Sequence, residues 1–340
     1  MFKKKIIKKI IVLGLMIALL ALGLLGCGDE AKVTKQVKEE PKPVKKLTVL
    51  LDWVPNTNHT GLYVAKDQGF FQKEGLEVEI VQPSQGSAAQ LVASGQAQFG
   101  ISYQEEVTLA RLQKVPIVSI AAVIQHNTSS FASKKQMNIT RPKDFEGKRY
   151  GGFGSPVEEA VLMGIMSRDG GDVKKVQMIN MGSADFFASI DKNVDFSWIY
   201  QGWTGIEAKL KGIELNQVVL KDFEPALDYY TPVIVTNEQM IAQQPEVVKA
   251  FMRAVSQGYQ FSMKNPEQAA QSLVKNAPET NAQLAVASQQ WLADKYQAEA
   301  PRWGEQKLNV WQGYANWMQK NNLLTGQFMA EKAFTNDFLP

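Results

Sequence analysis

Apolar residues follow two rhythms along this chain. Residues 47–51 form an apolar run of strand length, and residues 61–67 open a helical segment. Residues 77–81 alternate polar and apolar like a strand, residues 87–94 read as a helix, and residues 99–101 again as a strand. This is βαβ order, which predicts parallel strands whose carboxyl-end loops line a crevice. The alternation resumes after residues 144–150 with a helix at 157–168, a strand at 177–180, a helix at 184–192 and a strand at 194–199. About 290 residues follow the N-terminal region, more than one core usually holds, so two lobes are expected. The β-branched run 232–236 carries the chain back to the first lobe, and residues 245–264 and 282–324 read as helical. The expected division is lobe 1 at 47–138 and 232–340, and lobe 2 at 139–231. Trp291, Trp303, Trp311 and Trp317 lie along the last helical stretch, and at helical spacing large aromatics serve as packing anchors.

The N-terminus departs from both rhythms. Lys3, Lys4, Lys5, Lys8 and Lys9 precede an uncharged apolar stretch at 10–26 that ends at Cys27, the only cysteine. That is the layout of an export signal, 1–26, and the stretch is shorter than the roughly 20 residues that cross a bilayer core. With no second cysteine, no disulfide is available to the fold. Residues 27–46, rich in Lys, Glu, Val and Pro without apolar period, read as a flexible tether. Residues 1–46 hold 11 lysines and 4 acids, a balance of +7, leaving 26 basic and 30 acidic groups, −4, for the rest. The basic character therefore belongs to signal and tether, and no nucleic-acid surface is expected.

Four clusters carry candidate chemistry, each where a strand empties into a helix. The loop 52–61 is dense in hydrogen-bonding side chains, with Asp52, Trp53, Asn56 and His59 as candidates. Asn56, Thr57, Asn58 and Thr60 equally suit turns and caps, whereas capping has no evident use for the indole of Trp53 or the imidazole of His59. At 102–106, Ser102 and Glu105 have capping-box spacing, which leaves Tyr103 and Gln104 as ligand candidates. In Gly151-Gly152-Phe153-Gly154-Ser155-Pro156 neither the dinucleotide fingerprint nor the Walker spacing is present, and Glu158 and Glu159 in the next turn would repel a phosphate. A close approach of Gly154, Ser155 and Glu158 to a neutral or partly cationic ligand fits better. At 198–207, Trp198, Tyr200 and Trp203 surround a glycine and suit stacking on a planar ring. Glu207 or Asp52 is the candidate carboxylate for an exocyclic amine and protonated ring nitrogen, although Glu207 also stands one helical turn before Lys211.

The runs 51–63, 69–76, 95–102 and 198–207 resemble the thiamine-biosynthesis-type solute-binding family, and most of all its formylaminopyrimidine-binding lipoproteins, over nearly all of residues 47–340. Residues 24–27 likewise resemble a lipoprotein signal box, in which Cys27 is acylated and anchors the chain to the extracytoplasmic face of the cell membrane. The resemblance implies an α/β, two-lobed type II periplasmic-binding-protein fold with a ligand cleft between the lobes. It also implies a thiamine-related aminopyrimidine ligand and, as partners, the permease and ATPase subunits of an ABC importer. The chain is expected to be monomeric and non-enzymatic.

The same superfamily includes enzymes that build the thiamine pyrimidine from pyridoxal phosphate and a histidine of their own chain, and His59 resembles that histidine in position. No lysine lies between residues 47 and 65 to hold the cofactor, and the chain has only two histidines, His59 and His126, so no cofactor and no metal are expected. Riboflavin, another planar ring that stacks, or another small organic solute is the alternative cargo.

Overall fold

The computed structural model describes residues 44–340 except 183 and 191. The expected signal, Cys27 and the tether up to residue 43 lie outside the described residues. Lys45 and Lys46, assigned to the tether by composition, instead begin the first strand, where they pair with Leu76 and Glu77.

Among the described residues ten strands form two sheets. They are β1 (Lys45–Leu50), β2 (Leu76–Val81), β3 (Phe99–Ser102), β4 (Ile117–Ala122), β5 (Ser129–Lys134), β6 (Arg149–Gly152), β7 (Gln177–Asn180), β8 (Phe196–Tyr200), β9 (Leu215–Val219) and β10 (Val233–Asn237). The orders are β2-β1-β3-β10-β4 and β7-β6-β8-β5-β9. In the first sheet β1 runs parallel to β2 and β3, while β10 is antiparallel to both neighbours. In the second, β6 is parallel to β7 and β8, and β5 is antiparallel to both of its neighbours.

The two reversed strands share one cause. Each is the first strand after the chain passes from one lobe to the other. A chain arriving from the facing lobe enters at the carboxyl ends of the parallel strands, so its first strand runs backwards. Both crossovers, 123–128 and 227–232, thereby lie at the carboxyl ends of the parallel strands. They are tied to each other: Asn127 N–H donates to Asp228 Oδ1 (2.9 Å), its side chain donates to the Leu227 carbonyl (2.8 Å), and Val123 N–H donates to the Pro232 carbonyl (3.0 Å).

The lobe boundaries differ from the expected ones in two places. β5, assigned to lobe 1, belongs to the second sheet, so the first crossover comes about ten residues earlier than 138. The stretch 282–324 is two helices, Ala282–Leu292 and Leu308–Lys320, separated by an irregular segment. The latter helix packs against the second lobe: Trp311, Tyr314 and Trp317 share a cluster with Phe131, Tyr150 and Phe196, and a Cβ on Gly164 would lie 2.9 Å from the Trp317 ring. The chain then returns to the first sheet, where Ser119 N–H donates to the Ala333 carbonyl and Thr335 N–H to the Ser119 carbonyl (both 2.9 Å).

The first lobe's core is built on the helix Pro245–Lys264, whose Phe251 stacks on Phe99 with centroids 3.8 Å apart. Its Gly258 admits the backbone of the helix Thr60–Asp67, since a Cβ there would collide with the Gly61 carbonyl oxygen. That contact places the loop before Thr60 over the carboxyl end of β1. Trp303, Trp311 and Trp317 are buried and Trp291 is partly so, as packing anchors should be. Among the described residues no helix is long and apolar enough to cross a membrane.

Candidate functional site

The loop after β1 is held rigidly. His59 is fully buried, its Nδ1 accepts from the Asn56 N–H (3.2 Å), and its Nε2 is 2.6 Å from Asp52 Oδ1. Because Nδ1 accepts, Nε2 carries the N–H that donates to Asp52. The Asn56 side chain in turn accepts from Asn58 N–H (2.9 Å). An imidazole thus closes a capping box, a use that the sequence reasoning had denied it. Tyr296 and Tyr259 donate to the Thr57 and Asn58 carbonyls (2.6 Å each), which fastens the loop to the C-terminal helices. Thr57 Oγ1 meets Ser288 Oγ at 2.6 Å, and Ser288 donates to the Gly202 carbonyl in the second lobe. The side chain of Asp52 is only 8 % exposed. Burial would raise its pKa, but the His59 ring and the Tyr103 hydroxyl overcome that and hold it below the ordinary carboxylate value. Trp53 stands at the loop tip, 44 % exposed.

At the end of β3 the helix Gln104–Leu112 begins, with Tyr103 as its N-cap residue. Tyr103 lies beside Asp52, and burial together with that carboxylate pushes its pKa well up. Gln104 is a clasp: its Oε1 accepts from Tyr230 N–H (2.9 Å) and its Nε2 donates to the Val310 carbonyl (3.3 Å). Ser102 does not cap with Glu105. It donates to Glu106 Oε2 (2.6 Å) instead, so Glu105 turns inward. Tyr229 lies beside Glu105 and acts on its charge, and Glu105 Oε2 is buried without a hydrogen-bond partner among the described residues. Burial, with Glu106 adding to it and Tyr229 opposing it, pushes its carboxyl up to about 7. The hydroxyl of Tyr314, from the helix Leu308–Lys320, lies in the same electrostatic neighbourhood and also has no partner among the described residues. Leaving such a group unsatisfied costs about 1–3 kcal/mol, more for a charged one, so these atoms mark either strain or a place for a ligand.

In the second lobe Glu158 is an organising acid. It accepts from the Tyr150 hydroxyl (2.7 Å), Phe153 N–H (3.0 Å) and Ser155 N–H (2.9 Å), while Ser155 accepts from Val157 N–H (3.3 Å). Gly154 has φ +85°, and a Cβ there would lie 2.5 Å from the Asn180 amide. The 151–156 turn is therefore shaped by its own acid, with Phe153 exposed at its tip. Tyr200 ends β8, with Thr231 near its hydroxyl. Trp203 is half-buried in the π-helical turn Gln201–Gly205 that follows. Glu207 pairs with Lys211 at 2.6 Å, the reading of its spacing that needed no ligand. Trp198 packs edge-on to Phe131 in the lobe core (5.5 Å).

Of the twelve candidates, the structure draws four together. Tyr200 senses the carboxylates of Asp52, Glu105 and Glu158, and Tyr103 senses Asp52, Tyr200 and Glu105. The ends of β1, β3 and β8 and the turn after β6 thus supply acids and phenols from both lobes to one neighbourhood. Glu207 is engaged by Lys211 instead. Sequence reasoning missed Glu105, Tyr229 and Tyr314: the first was concealed by its capping-box spacing, and the tyrosines lie on elements with no motif around them. Such a group can stack on a flat ring and exchange hydrogen bonds with amines. Among the described residues no cluster of three or more His, Cys, Asp or Glu could hold a metal ion.

Two mixed sheets joined by paired crossovers, with a polar and aromatic site at the strand ends, define the periplasmic-binding class of α/β fold. The alkanesulfonate-binding protein SsuA of Xanthomonas axonopodis pv. citri shares it, with TM-score 0.66 and 12% identity over 86% of this chain and 99% of that one. The family model described as NMT1/THI5 like matches residues 56–269, and the chain belongs to that family. The formylaminopyrimidine-binding protein of Halalkalibacterium halodurans is 30% identical over 87% of this chain and 92% of its own length. The riboflavin-binding protein RibY of Chloroflexus aurantiacus is 24% identical over 98% of each. A 4-amino-5-hydroxymethyl-2-methylpyrimidine phosphate synthase of Legionella pneumophila is 22% identical over 87% and 92%.

Proposed function

We propose that this protein is an extracytoplasmic solute-binding lipoprotein, anchored through Cys27, that hands a thiamine-related aminopyrimidine to the permease and ATPase subunits of an ABC importer. Formylaminopyrimidine and hydroxymethylpyrimidine are the proposed cargoes. The observation that supports this reading is that Asp52, Tyr103 and Glu105 of one lobe and Tyr200 and Glu158 of the other lie near enough for their charges to act on one another's phenols. A flat, amine-bearing ring gains stacking from the phenols and charge-assisted bonds from the acids. A ligand bonded to both lobes favours closure by the contacts that the open form lacks, and the importer reads closure. The formylaminopyrimidine-binding relative supports the choice of cargo.

The enzymatic reading is the less favoured one. His59 has both ring nitrogens engaged and no exposed surface, which suits a structural histidine better than one consumed as a reactant. Isothermal titration against formylaminopyrimidine, hydroxymethylpyrimidine, thiamine and riboflavin tests the proposal. Micromolar or tighter binding of one of the two pyrimidines supports it. Binding of riboflavin alone, or of none, refutes the cargo.

A further inference from the structure

We propose that Glu105 reads the hydrogen-bonding edge of the cargo, engaging an exocyclic amine and the adjacent ring nitrogen through one shared proton. This deepens the aminopyrimidine reading above and rests on it. Four observations converge. Glu105 is the second residue of its helix, at the carboxyl end of β3, where a ligand between the lobes would lie. Its Oε2 is buried without a hydrogen-bond partner among the described residues, and so is the Tyr314 hydroxyl that senses it. The neighbours that act on it are the Tyr229 hydroxyl and Glu106, neither of them a cation. Tyr103 and Tyr200, phenols from the two lobes on which the Asp52 charge acts, sense it as well.

A carboxyl in such surroundings holds its proton to near pH 7, which burial here accomplishes. In that form it places an O–H donor beside a C=O acceptor. An aminopyrimidine edge places a ring-nitrogen acceptor beside an N–H donor, so the two match. Transfer of the proton to the ring gives a carboxylate facing a protonated nitrogen and an amine, with the same two bonds and the same single proton. Either way, the complex contains one proton that free, ionised Glu105 lacks. Above about pH 7 binding must therefore take that proton from solution. The surrounding phenols, whose pKa values burial raises, supply none in this range.

The test is titration calorimetry of the wild-type protein with formylaminopyrimidine, between about pH 7 and 9, in buffers of different ionisation enthalpy. We expect uptake approaching one proton per cargo at the alkaline end and an affinity that falls about tenfold per pH unit there. Glu105→Gln keeps a donor beside an acceptor, so it should bind within about tenfold of wild type at pH 7 with the alkaline slope flattened. Glu105→Met removes both and should lose on the order of a hundredfold. Tight wild-type binding with no proton uptake and a flat profile overturns the role of Glu105 and leaves the cargo standing. Wild-type affinity in Glu105→Met overturns it too. Failure of the wild type to bind any aminopyrimidine overturns both readings together.

Discussion

Glu158→Gln exchanges a buried acceptor of three bonds for a side chain that can accept on one side only. Tyr150 O–H, Phe153 N–H and Ser155 N–H all point at the carboxylate. Bonds to a charged acceptor are worth about 1.5–3 kcal/mol each, and neutral ones about 0.5–1.5. Conversion of the three costs about 1 kcal/mol apiece, and the new amide N–H must face at least one donor, a further 1 kcal/mol or more. A loss of about 3–5 kcal/mol is expected. The control is Glu159→Gln, which makes the same change of charge one residue on, at an exposed position in the same first turn, and should cost under about 0.5 kcal/mol. Denaturant titrations followed by tryptophan fluorescence give both values. Because the same acid shapes the 151–156 turn, cargo affinity should fall in Glu158→Gln and hold in Glu159→Gln. Equal stability in the two variants would refute the account of Glu158 as the organiser of that turn.

Other perturbations reach the hinge and the first lobe. His126 lies in the first crossover, with Nδ1 2.6 Å from Asp228 and Nε2 2.9 Å from Glu299. Burial lowers its pKa, the two carboxylates more than reverse this, and the folded value sits above 6.5. Its stabilisation is thus fully present below about pH 6.5 and is lost as pH rises through the raised folded value. The midpoint difference between wild type and His126→Asn, under about 1 kcal/mol for so exposed a pair, should shrink with rising pH; a constant difference would contradict this. Gly258→Ala gains about 0.5–1 kcal/mol of helix propensity. It also drives a methyl into the Gly61 carbonyl, and a backbone atom cannot swing away, so a net loss of about 2–3 kcal/mol in chemical denaturation is expected.

Much of the architecture was legible because its elements obey the two apolar periods. The strand Gln177–Asn180 and the helix Pro245–Lys264 have the bounds their patterns predict. β5 hid because its signal is not apolar. It reads Ser-Ser-Phe-Ala-Ser-Lys, and Ser129, Ser130 and Ser133 are buried in the sheet interior, which no hydrophobic pattern reports. With it went the position of the first crossover. The C-terminal tryptophans announced burial but not the lobe they would be buried in, since periodicity gives a face and not a partner. In the site, Glu105 and Glu207 show the limits of spacing. Both had a local explanation three or four residues away; Glu207 took it, whereas Ser102 turned to Glu106 and left Glu105 facing inward. His59 erred the other way, as a side chain thought too unusual to cap that closes a capping box.

The most direct test is a crystal structure of the protein with formylaminopyrimidine. The account predicts the ring between the lobes against Tyr200, with one Glu105 oxygen within about 3.2 Å of the amine and the other within about 3.2 Å of the adjacent ring nitrogen. A ring bound elsewhere, or bound there with Glu105 still turned to Tyr229 alone, would contradict it.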